Sequence, residues 1–209
     1  HSGLSQPFPI PTEDAEWGIV EGHGPFGGSR GFVYKVIGDT MINTQIYRIW
    51  NHGYLTRYRQ NKLYVYDENS EEDYIYYDFN LKVNETFIFP RKDFEVIVEE
   101  VSLFDSLSSS PRRKIKLKIP ETHDTFTWIE GIGDIENGLF YPCFYVTDCS
   151  QETVCFKDYS GLVYKDSTFN YSCDSIEYYY KTWLSDIQDN EVNIDLNFYP
   201  NPAGNSIKI

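Results

Sequence analysis

An all-β fold is what this sequence predicts: an antiparallel meander forming a sandwich or barrel, with at most one short helix near the C-terminus. Three observations predict it. Short apolar runs recur between turn residues at regular spacing. The residues that fill those runs are strand formers, since 18 Tyr and 14 Phe raise the aromatic share to 17%. The stretch Lys114-Ile115-Lys116-Leu117-Lys118-Ile119 alternates without a break, which places three lysines on a solvated face and three aliphatics on a packed one.

In chain order the runs are 31–37, 42–50, 54–58, 62–66, 74–79, 86–89, 94–104, 114–119 and 125–129. The polar segment 67–73 (DENSEED) falls between two Tyr-rich runs and reads as a hairpin tip, and 106–111 reads as a second exposed loop. One stretch has a different period. Ile176, Tyr179, Tyr180, Trp183, Leu184 and Ile187 follow i, i+3, i+4, i+7, i+8 and i+11, and Asp174 and Glu177 have capping-box spacing. A short amphipathic helix fits there, although the consecutive Tyr178, Tyr179 and Tyr180 also suit a strand.

Composition excludes several classes. The chain has 209 residues, with 18 Lys+Arg against 32 Asp+Glu, so the net charge is −14. A duplex or an anionic membrane attracts the opposite sign, and no nucleic-acid partner is expected. With 41% hydrophobic residues the chain can bury a core, so a disordered polyelectrolyte is excluded. No transmembrane segment is expected, because no apolar run reaches the 18 residues or so that a spanning helix needs. The opening HSGLSQPFPIPTED lacks the basic start and apolar stretch of a secretion signal, which is expected to have been removed or to precede it.

The four cysteines, Cys143, Cys149, Cys155 and Cys173, are confined to one C-terminal stretch. Their spacing lacks a CxxC knuckle and no histidine lies near them, which disfavours zinc and favours disulfides in an oxidising compartment. Three pairings are possible; Cys143 with Cys149 and Cys155 with Cys173 is preferred because it staples one small loop and one hairpin-sized loop.

Motif matches are weak. Gly22-His23-Gly24-Pro25-Phe26-Gly27 fits GxGxxG and Gly27-Gly28-Ser29-Arg30-Gly31 fits GxSxG, but each mechanism needs a helix to follow, and here a strand-like run follows. Asp67, Asn69, Glu71 and Asp73 imitate the alternate oxygen ligands of a calcium loop, with Glu72 where the sharp-turn glycine belongs. No cofactor is expected, with calcium at that tip as the exception. Carboxylate pairs for glycoside hydrolysis, such as Glu130 with Asp134 or Asp39 with Glu136, are uninformative among so many acids. Trp128-Ile129-Glu130-Gly131-Ile132-Gly133 reads as a strand ending in a tight turn, with Gly131 and Gly133 free to take positive φ and Glu130 holding the turn through backbone contacts.

Taken together, Trp17, the run Val36-Ile37-Gly38-Asp39-Thr40-Met41-Ile42-Asn43 with Tyr47, Asn61-Lys62-Leu63-Tyr64-Val65-Tyr66, Tyr77-Asp78-Phe79-Asn80-Leu81-Lys82-Val83, WIEGIG with Gly138-Leu139, and Cys155-Phe156 with Gly161 and Tyr164 carry a resemblance. Their order and spacing over most of 15–175 resemble a large group of uncharacterised secreted proteins of Bacteroidetes. Asn84-Glu85 departs from the Gly-Asp usual there. Such proteins commonly end in a C-terminal sorting domain of the type IX secretion system. Tyr199-Pro200-Asn201-Pro202-Ala203 with Asn205, followed by Ile207-Lys208-Ile209, looks like the opening of one, and the sequence stops inside its first strand.

The resemblance implies a route and no catalytic residue: export through the periplasm, then release or attachment at the outer cell surface, with the type IX machinery as partner. The expected organisation is an extended or disordered N-terminus at 1–11, a β-domain at 12–185, a linker at 186–197 and the start of a sorting domain at 198–209. The expected function is a non-enzymatic binding, adhesion or structural module with a surface glycan or protein as ligand. The alternatives are a glycan-binding or glycan-degrading protein, or a calcium-dependent structural or secretion-associated one.

Overall fold

The computed structural model describes residues 8–10, 14–22, 28–90, 94–107, 111–140, 150–169, 173–178 and 180–181. Fourteen strands and one 3-10 helix lie among them. The first six strands are β1 (Glu16–Gly22), β2 (Ser29–Ile42), β3 (Gln45–Trp50), β4 (Leu55–Arg59), β5 (Lys62–Asp67) and β6 (Glu72–Asp78). Next come β7 (Thr86–Phe89), β8 (Phe94–Phe104), β9 (Arg112–Lys118), β10 (Thr125–Ile129) and β11 (Gly133–Asp134). The chain closes with β12 (Ser150–Asp158), β13 (Gly161–Lys165), a 3-10 helix (Cys173–Tyr178) and β14 (Tyr180–Lys181).

The strands form two antiparallel sheets. The larger runs β13-β12-β1-β2-β3-β4-β5-β6 with β14 beside β2, and the smaller runs β11-β10-β9-β8-β7. The expected all-β sandwich is therefore present, with one of the two sheets curled into a half-barrel. In the larger sheet β2 bridges two neighbours: its first half pairs with β1, its second half with β3, and the register shifts between Val36 and Gly38. Where β3 ends, the Asn51 side chain continues the ladder. Its Oδ1 accepts from Lys35 N at 3.1 Å and its Nδ2 donates to Val33 O at 2.7 Å.

Local sequence sets the turns. Asn43 and Thr44 both have positive φ (48° and 67°), which splits the expected run 42–50 at a two-residue hairpin loop. Gln60 and Asn61 (53° and 57°) form a second two-residue loop between β4 and β5, in the gap expected between the runs 54–58 and 62–66. The segment 67–73 forms the β5–β6 tip as expected. The alternation in β9 also holds, with Ile115, Leu117 and Ile119 buried and the lysines between them partly exposed.

The packed interior is mostly aromatic. Trp17 lies 5.1 Å from Trp50 and 4.6 Å from Phe156, while Trp128 meets Tyr77, Phe87 and Phe89 edge-on at 4.9–5.7 Å. Two buried indole N–H groups find acceptors, Trp17 Nε1 donating to Ile132 O at 2.7 Å and Trp50 Nε1 to Thr56 Oγ1 at 2.8 Å, while Trp128 Nε1 is buried without one.

Four strands escaped the periodicity reading: β1, β11, β12 and β13. β1 and β12 are covered on both faces, so buried residues run consecutively (Trp17 to Val20, Val154 to Phe156) and the period of two disappears. The tail is corrected too. The expected helical repeat from Ile176 gives way to a 3-10 helix that ends at Tyr178 and a strand that pairs Tyr180 with Arg30 and Lys181 with Ser29. The β preference of consecutive tyrosines and an open edge on β2 outweigh the helical spacing. The part of that repeat beyond 181 lies outside the described residues.

Candidate functional site

Among the described residues, buried charge gathers where the turn motif meets the start of β9. β10 ends at Ile129, and Glu130 N continues the ladder to Arg113 O at 2.8 Å. Gly131 (φ 77°) and Gly133 (φ 97°) then reverse the chain, so that β11 pairs Trp128 with Asp134 and Ile129 with Gly133. Glu130 is buried, and its carboxylate accepts from the backbone N–H groups of Arg113 and Phe8. Burial raises the Glu130 pKa, against the pull of those donors and of the Arg113 and Arg112 charges.

Arg112 completes the site. It is only 3% exposed, and its Nη2 pairs with Asp158 Oδ2 at 3.0 Å, which ties the smaller sheet to β12. Its Nη1 lies 3.4 Å from Glu130 O, and its Nε is buried without a partner. Burial pulls the Arg112 pKa below its usual value, and Asp158 opposes that pull. Across the gap, the Tyr58 hydroxyl from β4 lies 3.3 Å from both Phe8 O and Asn61 Oδ1. Burial and the nearby Glu130 raise its pKa, so it serves as a neutral donor.

Beyond the turn lies a second group of acids. Asp134 is buried, and its Oδ1 accepts from Glu136 N and Asn137 N, both at 2.9 Å. Burial outweighs these donors and pushes its pKa up to about 7. Glu152 is also pushed up to about 7, first by burial and then by a hydrogen-bonded Asp166, whose own pKa is lowered by Glu152 and Thr168. Two carboxyls that share a hydrogen bond leave no room for the sugar and water of a glycosidase, which needs about 5 Å or more between them.

The other predicted residues lie elsewhere. At the β5–β6 tip Asp67 turns inward on its own loop, Oδ1 accepting from Asn69 N and Oδ2 from Ser70 Oγ, both at 3.0 Å, while Glu71 sits at φ 56°. Asp73 instead pairs with Arg57 Nε and accepts from the Tyr47 hydroxyl at 2.8 Å. The four do not converge, and no metal-type cluster of His, Cys, Asp or Glu occurs among the described residues. Arg57 also covers the Tyr64 ring at 4.9 Å, so the outer face of β3–β6 carries a Tyr–Arg–Asp patch. Asp39 is paired with Arg48 at 2.9 Å on the exposed β2–β3 hairpin.

Cys155 and Cys173 are bonded, with Cα atoms 5.8 Å apart. Cys143, Cys149 and the tail residues Tyr199, Pro200, Asn201, Pro202, Ala203 and Asn205 lie outside the described residues, as do the expected linker and 23–27 of the GxGxxG match. Ser29, Arg30 and Gly31 sit within β2, so the GxSxG match has no strand-to-helix elbow.

Sequence reasoning missed Arg112, Tyr58 and Phe8, which meet only in three dimensions. Asp134 had a local signal, because D-x-x-N-G is the pattern of a side-chain-capped turn. No family model, curated protein or solved structure matches the chain.

Proposed function

We propose that the chain is a secreted or surface-displayed β-module carried by the type IX secretion system, which acts by binding rather than by catalysis. The observation that carries this reading is the Cys155–Cys173 disulfide, which suits an oxidising, extracellular setting, upstream of the Tyr199-Pro200-Asn201-Pro202-Ala203 tail. The acidic surface agrees with a protein that stays soluble outside the cell. Removing 198 onward from the complete protein in its native cell is the direct test. Export should stop and the protein should accumulate in the periplasm, whereas unchanged export would sink the assignment.

A second reading concerns the ligand. The half-exposed Tyr64 ring with Arg57 over it, and the half-exposed Tyr66 two residues on, favour a surface glycan, since flat rings and a fixed guanidinium stack on and hydrogen-bond to sugars. A glycan array with wild type and Tyr64→Ala decides it: binding lost in the variant supports the reading, and an array blank for both rejects it.

A further inference from the structure

The charged interior at the turn motif is filled by the chain's own N-terminal arm. The Phe8 ring lies over the Arg112 guanidinium at 4.3 Å, its N–H meets the Glu130 carboxylate, and its carbonyl oxygen lies 3.3 Å from the Tyr58 hydroxyl. Gly131 leaves the space: a Cβ there would lie 2.5 Å from Arg112 Nη1 and 3.1 Å from Phe8 Cβ. Two residues on, Ile10 is buried in the main core.

Packing alone would not require this arrangement. Arg112 has its ion pair with Asp158 and Glu130 has the Arg113 N–H without the arm, so the contacts that both make with Phe8 are additional to those that hold the sheets together, whereas Ile10 is held by apolar burial alone. Here the two ionic groups and one phenol read the N–H, the C=O and the ring of a single residue. A further donor, Arg112 Nε, is buried without a partner.

We propose that Arg112, Glu130, Tyr58 and Gly131 form a recognition site for an extended aromatic–proline–aliphatic peptide segment, which Phe8-Pro9-Ile10 occupies in cis. The partner is another polypeptide that presents such a segment, and the arm is its built-in competitor. A short tether gives the cis arm an effective concentration in the millimolar range, so a free peptide competes poorly until the arm is weakened. The site rests on contacts within the fold and stands whether or not the tail directs export.

The test uses the full chain and a fluorescent peptide of residues 5–12 (SQPFPIPT), read by anisotropy. The peptide should bind the Phe8→Ala chain and bind wild type at least tenfold more weakly. The same peptide with its phenylalanine replaced by alanine should bind neither chain. Equal binding to both chains, equal binding by both peptides, or no binding to a Phe8→Ala chain with a native near-ultraviolet spectrum would overturn the proposal. If Phe8→Ala does not fold, wild type carrying a protease site at 11–13 and cut after folding replaces it. The labelled peptide should then exchange into the cut chain, and failure to exchange also overturns the proposal.

Discussion

The described residues form two cores, and they are held by different means. Between the sheets, aromatic side chains such as Trp17, Trp50, Trp128, Tyr77 and Phe156 fill the main core. On the other face of β1 and β2, a satellite core consists of Val20, Val33, Val154, Cys155, Cys173 and Ile176. The first has enough apolar surface to hold itself together. The second is too small to do so, and a covalent bond takes over where burial is scarce. Gly18 shows how close that bond runs to the sheet, because a Cβ there would lie 2.6 Å from Cys155 Sγ.

The largest effect belongs to the main core. Trp128→Ala removes a fully buried indole that Tyr77, Phe87 and Phe89 surround, and large-to-small changes of this kind cost about 3–5 kcal/mol. Urea denaturation should show both cores lost in one transition, because the satellite rests on β1, β2 and β12. A variant that kept the Cys155–Cys173 region protected from exchange while the main core melted would reverse the dependence of the satellite core on the main one.

The disulfide comes next. Replacing Cys155 and Cys173 by alanine opens a loop with a sequence separation of 18, for which chain entropy predicts a loss of roughly 3 kcal/mol. The loss should be local. Hydrogen exchange and limited proteolysis should rise in the 3-10 helix and β14, while the near-ultraviolet spectrum of the buried tryptophans stays native. Cooperative loss of both would mean that the two cores are one unit.

The same contrast explains what could be read in advance. Strands with one wet face, such as β9 with its lysines, announce themselves by alternation, and the meander from β2 to β10 was legible for that reason. β1 and β12 sit between the two cores, so their buried residues run together and the signal vanishes. The site divides similarly. Glu130, Gly131 and Gly133 were visible as a turn because glycines mark reversals locally. Arg112, Tyr58 and Phe8 reach the site from separate parts of the chain, and no spacing rule connects them.

Acidity should separate the regions further, since Asp134 and Glu152 are both pushed up to about 7. A carboxyl raised in the folded state stabilises it while protonated. That contribution is full below the unfolded values, 3.8 and 4.5, and is lost as pH rises through about 7. Asp166, whose pKa is lowered, has the opposite sign, and its contribution is lost only as pH falls below the ordinary aspartate range. Stability should therefore rise between pH 8 and pH 5, by on the order of 2 kcal/mol from Asp134 and less from the half-buried Glu152, and the melting temperature with it. Asp134→Asn should flatten the profile measured by calorimetry; an unchanged slope would place the titration elsewhere.

The smallest effect falls on the outer face, away from both cores. Tyr47 donates to Asp73 at 2.8 Å, and Asp73 also holds Arg57, so the hydroxyl is one of two partners. Burial, and then Asp73, push the Tyr47 pKa up to about 12, which keeps it a neutral donor at physiological pH. Tyr47→Phe leaves the ring on Tyr66 and leaves Asp73 with its guanidinium, so no buried charge is orphaned. The cost should be about 1 kcal/mol, the net value of one hydrogen bond, with no change in the pH profile that Asp134 controls. Asp73→Ala should cost more than Tyr47→Phe, because it also strips the partner from a guanidinium lying over Tyr64. If the two variants were equally stable by urea denaturation, the Arg57 pair would contribute nothing, and the patch would be held by its rings alone.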